Sequence, residues 1–256
     1  MNDPGLDQAI RAAGGITQLA RRIGISQPSV SNWSRIPAER VLAVEAATGI
    51  ARTVLRPDLY AAEALPPDDA DAARAEEYAL LATLLAGAPD AALLRRIAQL
   101  RGDETLLGRA HAALAEAAGA IGAEAVAREY FELFIGTGRG ELLPYGSYYL
   151  TGFLNERPLA RLRADLAALG IERAAETSEP EDHASILCET MAGLIGGAFR
   201  APLDRQRQFQ DKHLAPWIGH FFADLEAAQA ARFYRPVGTI GRLFIAIETK
   251  AFALPD

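Results

Sequence analysis

Apolar residues recur along most of this chain at the spacing of one α-helical face, whereas runs of alternating β-branched residues are almost absent. Alanine, leucine, glutamate and arginine, which favour helices, dominate the non-glycine positions. This pattern predicts an all-α fold without a strand. The chain has 256 residues, 50% of them hydrophobic, so it is long enough to bury a substantial core in one or two domains.

One segment interrupts the helical pattern. Residues 66–71 read Pro-Pro-Asp-Asp-Ala-Asp, and paired prolines prevent a continuous helix. The sequence therefore predicts a domain at 1–60, a linker at 61–71 and a larger domain at 72–256. The net charge of −7 is unevenly distributed, because residues 1–60 carry +2 and the rest carry −9. We expect the two domains to have different partners.

The N-terminus lacks a basic region followed by an apolar segment, and no apolar stretch reaches the roughly 18 residues of a membrane span. We therefore expect a cytoplasmic protein. The single Cys188 cannot form an intramolecular disulfide and belongs to no zinc motif. Its place in an apolar run predicts a buried structural thiol.

Residues 19–33 have the layout of a helix-turn-helix. Gly24 marks the turn, Ser26 can cap the second helix, and Pro28 is tolerated in that helix's first turn. A small residue lies where the two helices cross, and three apolar residues point into the core: Ala20, Ile25, Val30 and Trp33.

This layout resembles Cro/YdaS-type DNA-binding domains. In that docking mode the start of the second helix reaches the base edges of the major groove, so Gln27, Ser29 and Asn32 are candidate base readers. Arg35 is a candidate phosphate contact. The alternative is a module used only for packing or dimerisation. A homodimer would double the modest basic surface.

The stretch at 178–183 reads Ser-Glu-Pro-Glu-Asp-His and precedes an apolar run. It predicts a helix capped by Ser178 or Glu179 with Pro180 in its first turn. The helix body has one apolar stripe, formed by Ile186, Leu187, Thr190, Met191, Leu194 and Ile195. The simplest interpretation is a well-capped helix. As a catalytic pair, Asp182 and His183 lack a recognisable nucleophile.

Several motifs resemble, in order and spacing, the TorD/DmsD family of redox-enzyme maturation chaperones, from about residue 72 to the C-terminus. They are Tyr-Phe-Glu-Leu-Phe-Ile-Gly at 130–136, Pro-Tyr-Gly-Ser-Tyr-Tyr at 144–149, Glu-Pro-Glu-Asp-His at 179–183, His-Leu-Ala-Pro-Trp at 213–217 and Phe-Tyr at 233–234. The resemblance implies a cytoplasmic all-α chaperone that binds the twin-arginine signal peptide of a molybdenum-containing oxidoreductase precursor until its cofactor is inserted. The family often has Pro-Pro-Tyr-Glu-Ser where this chain has Leu-Pro-Tyr-Gly-Ser, so Gly146 lacks the family's carboxylate.

The resemblance places a signal-peptide site around Asp182 and His183. Asp182 supplies a carboxylate suited to a guanidinium, and His183 supplies a polar group where the helix dipole disfavours protonation. Pro144 and Tyr145 offer an apolar wall to the peptide. The alternative for that loop is simple packing. Glu179 and Ser147 complete the predicted site.

Two further patterns suggest other ligands. The glycine-rich residues 136–140 follow a helix and lack a subsequent Lys-Ser/Thr pair, so they do not read as a phosphate-binding loop. His213, Trp217 and His220 have helical spacing, but two imidazoles need further ligands to hold a metal. Core packing is the better interpretation, and we predict no cofactor.

The leading functional prediction is a chaperone domain fused to a DNA-binding module. The alternative is a transcriptional regulator whose TorD-like domain senses a peptide, a nucleotide or an unoccupied precursor. An enzyme is the weakest interpretation, because no nucleophile, carboxylate pair or metal set has persuasive spacing.

Overall fold

The computed structural model describes residues 3–50, 52–56, 69–172, 179–197 and 199–254. Within these ranges the regular secondary structure is helical and contains no strand, which confirms the predicted fold class. The chain divides into two compact units, Met1–Leu65 and Pro66–Asp256. The predicted linker lies outside the described residues except for 69–71, which form the first turn of a helix. The three predicted domain ranges stay a prediction.

The smaller unit is a cluster of short helices around its own apolar core. The helices are α1 (Pro4–Ala13), α2 (Ile16–Arg22), α3 (Gln27–Ser31), α4 (Val41–Thr48) and α5 (Arg52–Leu55), with a 3₁₀ turn at Ala38–Arg40. The fully buried side chains include Leu6, Leu19, Ile36, Val41, Val44 and Leu55. Each helix is too short to be stable alone, so packing around this core maintains the unit.

The predicted helix-turn-helix is formed by α2 and α3. Gly24 has φ +70°, the left-handed conformation that the turn requires and that a glycine adopts without strain. Ser26 is the N-cap of α3, and Pro28 lies in its first turn, as predicted. Ala20 and Val30 are buried, while Ile25 and Trp33 pack against the same core.

The larger unit is a bundle of helices. They are α6 (Asp69–Ala86), α7 (Ala91–Ile97), α8 (Leu106–Ala120), α9 (Ala123–Tyr130), α10 (Gly146–Thr151), α11 (Arg157–Ala168), α12 (Ala184–Gly196), α13 (Leu203–Phe209), α14 (Ile218–Ala227) and α15 (Tyr234–Phe252). α6 packs along α12, and α15 packs against both α8 and α14. Cys188 on α12 is fully buried, as predicted, and burial raises the pKa of its thiol well above the ordinary value.

The predicted start of α12 is wrong. Its N-cap is His183 and its first residue is Ala184, so Glu179 and Pro180 precede the helix, and Ser178 lies outside the described residues. The physical reason is tertiary. His183 has an extended backbone and pairs with Tyr145, and its two neighbours, Asp182 and Ala184, exchange backbone hydrogen bonds with the distant segment 144–146.

The predicted shared face of His213 and His220 is also wrong. His213 lies in a π-helical turn, Gln210–Leu214, and Trp217 has a non-helical backbone with φ −147° immediately before α14. His213 is therefore buried while His220 is exposed. The predicted core packing holds for Trp217, which is 1% exposed.

Two carboxylates hold the loop that leads into α15. The buried Glu129 accepts hydrogen bonds from the backbone N–H groups of Arg232, Phe233 and Tyr234, at 2.7, 3.1 and 2.8 Å. Glu141 accepts two more from the preceding residues of the same loop. The first amides of a helix have no hydrogen-bond partner within that helix. At the start of α15, Glu129 of α9 supplies the missing acceptor.

Candidate functional site

Two of the sequence motifs lie side by side in the larger unit. The N–H of Gly146 donates to the carbonyl of Asp182 at 2.9 Å, and the N–H of Ala184 donates to the carbonyl of Pro144 at 2.8 Å. Between these bonds, Tyr145 and His183 form an antiparallel bridge pair. The predicted site residues of both motifs therefore come together in one place.

Asp182 is 3% exposed, and its carboxylate is only partly satisfied. Its Oδ2 accepts a hydrogen bond from the N–H of Ser147 at 2.7 Å, in the first turn of α10. Its Oδ1 and the hydroxyl of Ser147 are both buried without a hydrogen-bond partner among the described residues. Buried polar atoms are almost always paired. This pair thus has the chemistry to receive a hydrogen-bond donor.

His183 is neutral at pH 7. Burial lowers its pKa to about 4, although the charges of Glu179 and Asp182 act in the opposite direction. The N–H of Ser185 donates to Nδ1 at 3.1 Å, so Nδ1 carries no proton and the neutral ring carries its proton on Nε2. His183 therefore offers a single N–H donor.

Tyr145 and Pro144 differ in accessibility. Pro144 is buried, whereas Tyr145 is half-buried, with its ring edge-on to His183 at 5.1 Å between centroids. The hydroxyl of Tyr145 donates to the exposed Glu179. Burial and this hydrogen bond raise the pKa of Tyr145 well above its ordinary value, so it remains a phenol. A ligand at this edge meets Tyr145 and Glu179 before Pro144.

An arginine that sequence reasoning missed lies at the same motif. Arg163 on α11 donates from Nε and Nη2 to one oxygen of Glu181, at 2.9 and 2.8 Å. The Arg163 side chain is 52% exposed and covers a Glu181 side chain that is only 13% exposed. Its hydrogen bond to Glu181 raises the pKa of Arg163. All three carboxylates of the Glu-Pro-Glu-Asp segment thus have internal hydrogen bonds.

A cavity of about 460 Å³ adjoins Asp182. Its lining includes Gly146, Leu150, Asp165, His213 and Trp217. A Cβ at position 146 would lie 3.0 Å from Nε1 of Trp217, so the glycine permits this close packing. The family often has a glutamate at this position. In this chain the position is a glycine, and the ring of Trp217 occupies the space that a side chain would need.

A polar cluster also lines this cavity. Asp165 on α11 interacts with Nε2 of His213 at 2.8 Å and with Nζ of Lys212 at 3.3 Å. Desolvation acts to raise the pKa of Asp165, but the hydrogen bonds and charges of His213 and Lys212 together outweigh it, so this pKa is lowered. Burial lowers the pKa of His213. The leucine stripe of α11 predicted the helix but not this cluster.

The predicted base readers lie on an exposed part of the smaller unit. Gln27, Ser29, Asn32 and Arg35 are all exposed. The amide of Gln27 donates to the hydroxyl of Ser31 at 2.7 Å, and Ser29 pairs with Ser26 at 2.7 Å. Asn32 is the C-cap of α3, and no hydrogen bond of its side chain occurs among the described residues.

Other classes of site are not evident in the part of the chain that the structure describes. No group of three or more His, Cys, Asp or Glu side chains in these residues has the arrangement of a metal site. Among the same residues, no helix combines the length and apolar character needed to cross a bilayer.

Comparison with protein families gives two matches in separate parts of the chain. Residues 101–223 match the family described as nitrate reductase delta subunit. Residues 6–64 match the family described as bacterial toxin YdaS. Both resemblances found in the sequence, to TorD-like chaperones and to Cro/YdaS-like domains, are confirmed.

Curated relatives of the chain are named chaperone protein TorD. The protein from Vibrio cholerae serotype O1 is 29% identical over 129 residues, which cover 47% of this chain and 59% of the relative. The protein from Aliivibrio fischeri is 27% identical over 135 residues, 49% of this chain and 63% of the relative. The chain thus spans less than two thirds of the length of these relatives. A solved structure described as a redox enzyme maturation protein from Archaeoglobus fulgidus is 20% identical, with a TM-score of 0.44, and covers 68% of this chain and 93% of its own.

Proposed function

We propose that this TorD-like, helix-turn-helix chain is a cytoplasmic chaperone for the precursor of a molybdenum-containing oxidoreductase. The larger unit binds the twin-arginine signal peptide of the precursor and assists its maturation before export. The observation that carries the proposal is the buried pair of Asp182 and Ser147, in which a carboxylate oxygen and a hydroxyl have no hydrogen-bond partner among the described residues. A guanidinium supplies several N–H donors in a fixed planar arrangement, which suits these acceptors.

The proposed chemistry is binding rather than bond making. Asp182 accepts from an arginine of the signal peptide, with Ser147 beside it, and the Nε2–H of His183 donates to a carbonyl of the peptide backbone. Glu179 and Tyr145 form the accessible rim, and Pro144, next to Tyr145 in the chain, is buried. Because Oδ1 of Asp182 is closed to solvent, the covering side chains shift when the peptide binds.

The test is a double-mutant cycle on the full chain, measured by calorimetry. Asp182→Asn should lower the affinity for a synthetic twin-arginine peptide. The wild type should bind a twin-lysine peptide more weakly than the twin-arginine peptide, because lysine lacks the planar fork of a guanidinium. The two losses should be coupled by about 1 kcal/mol or more, since the variant has already lost the advantage of arginine over lysine. Helicity measured by circular dichroism is the control for folding, because the amide oxygen of Asp182→Asn can still accept the hydrogen bond from the N–H of Ser147.

Two results would count against this proposal. Additive losses would reduce Asp182 to the cap of α10. Failure of the wild type to bind any twin-arginine peptide would favour the regulator described below.

A second prediction concerns Arg163. It donates hydrogen bonds to the carboxylate of Glu181, which an arginine of the peptide would otherwise be able to bind. Arg163→Gln should increase the affinity for a twin-arginine peptide by up to about fivefold. The exposed ion pair between Arg163 and Glu181 contributes roughly 0–1 kcal/mol, and in the variant it no longer competes with the peptide. Arg157→Gln is the matched control, since it makes the same charge change at the exposed start of α11. Equal tightening in both variants would indicate general electrostatics rather than displacement of Arg163.

The alternative function is a transcriptional regulator whose larger unit senses a peptide, a nucleotide or an unoccupied precursor. The exposed side chains of Gln27, Ser29, Asn32 and Arg35 on a helix-turn-helix favour it. Both functions are compatible, because a chain that has bound precursor could release DNA. The N-terminal unit then acts as the DNA-binding module, and a homodimer would provide two such modules.

A further inference from the structure

Three exposed apolar side chains lie close together in the sequence, in the last turn of α10 and just after it. Leu150 is 42% exposed, Phe153 is 69% exposed and Leu154 is 45% exposed. We call these three residues the 150–154 surface. Single exposed apolar residues are ordinary, but an exposed apolar patch that includes an aromatic ring is characteristic of binding surfaces.

The backbone fixes this surface in place. Gly152 has φ +82° and Asn155 has φ +59°, and Asn155 is the one non-glycine with positive φ among the described residues. A non-glycine residue in this region costs about 1 kcal/mol or more. The hydroxyl of Thr151 accepts a hydrogen bond from the N–H of Phe153 at 3.2 Å. The outward position of Phe153 is therefore held by a defined turn.

The surface begins where the Asp182 cavity ends. Leu150 lines that cavity together with Asp182, and Ser147, which binds Asp182, lies one turn earlier on the same helix. Three residues of an α-helix span about 4.5 Å. The carboxylate of Asp182 and Leu150, the first residue of the 150–154 surface, thus line the same cavity, which matches a ligand with a cation close to an apolar segment.

We propose that the 150–154 surface binds the apolar segment of the signal peptide whose arginine reaches Asp182. This inference rests on the proposed function and specifies where the rest of the peptide lies. Residues 61–256 carry a net charge of −9, which favours a cationic peptide over a second copy of the same acidic unit. The apolar contact is thereby assigned to Phe153 and its neighbours, in addition to the rim at Tyr145.

The test compares two synthetic peptides on the full chain by calorimetry. Both contain the arginine pair, followed in one by a leucine-rich segment and in the other by a serine-glycine segment. Phe153→Ala should weaken the leucine-rich peptide about tenfold and make its heat-capacity change on binding less negative, because apolar surface is no longer buried. The serine-glycine peptide should bind the variant and the wild type equally.

Leu106→Ala is the matched control, because it also shortens an exposed apolar side chain. Leu106 is 70% exposed and lies at the start of α8, outside the 150–154 surface. It should leave both affinities unchanged. If Phe153→Ala leaves the leucine-rich peptide unaffected while Asp182→Asn weakens it, the surface is wrongly assigned and the proposed function stands. If the wild type binds neither peptide, both are overturned. A change of oligomeric state in Phe153→Ala, measured by sedimentation, would make the surface a self-contact and also overturn the inference.

Discussion

Glu129→Ala is expected to lower the free energy of unfolding of the larger unit by about 3 kcal/mol or more. The buried carboxylate accepts from three consecutive backbone N–H groups, of Arg232, Phe233 and Tyr234. Each buried donor left unpaired costs roughly 1–3 kcal/mol, although water that enters the site recovers part of this. Since these amides lie immediately before and at the start of α15, which packs against α8 and α14, the loss should affect the whole unit.

The measurement is urea denaturation of the full chain in a Trp33→Phe background. The chain has two tryptophans, so fluorescence then reports the larger unit through the buried Trp217. Glu132→Ala is the control, because Glu132 is exposed three residues away and should change stability by no more than about 0.5 kcal/mol. A cost below about 1 kcal/mol for Glu129→Ala would contradict the anchoring role.

Asn32→Ala is expected to remove about 1–3 kcal/mol of discrimination at one base position and to leave non-specific binding almost unchanged. An asparagine side chain reads adenine through paired hydrogen bonds, and Asn32 is exposed at the end of α3. Arg35→Ala should instead weaken all sequences and reduce the salt dependence by the equivalent of about one phosphate contact.

Fluorescence anisotropy with a site selected from random DNA, at several salt concentrations, measures both effects. Gln8→Ala provides a control, because Gln8 is an exposed amide on α1, outside the helix-turn-helix. Identical, salt-insensitive behaviour of the Asn32 and Arg35 variants would argue against a reader helix. So would the absence of DNA binding at low salt, which would leave the smaller unit as a packing or dimerisation module.

Local sequence was enough to predict most helices. Two kinds of feature were visible locally: the apolar spacing along α6, α11 and α15, and the glycine at the turn between α2 and α3. Both depend only on residues that are close in the sequence, so the sequence alone predicts them. The beginning of α12 escaped prediction. Pro180 and the acids around it look like a helix start, but the pairing of Asp182 and Ala184 with segment 144–146 outweighs that local preference.

The same distinction applies to the candidate site. The motifs at 144–149 and 179–183 identified Asp182, His183, Ser147 and Tyr145 as neighbours in function, and the buried thiol of Cys188 followed from its apolar run. Sequence could not predict that Arg163 pairs with Glu181, that Asp165 pairs with His213 or that Glu129 holds the start of α15. These partners are 18, 48 and at least 103 residues apart. Hydrogen-bond periodicity and side-chain spacing are local properties of a chain, whereas the partner and burial of a charged group are decided only when distant helices pack together.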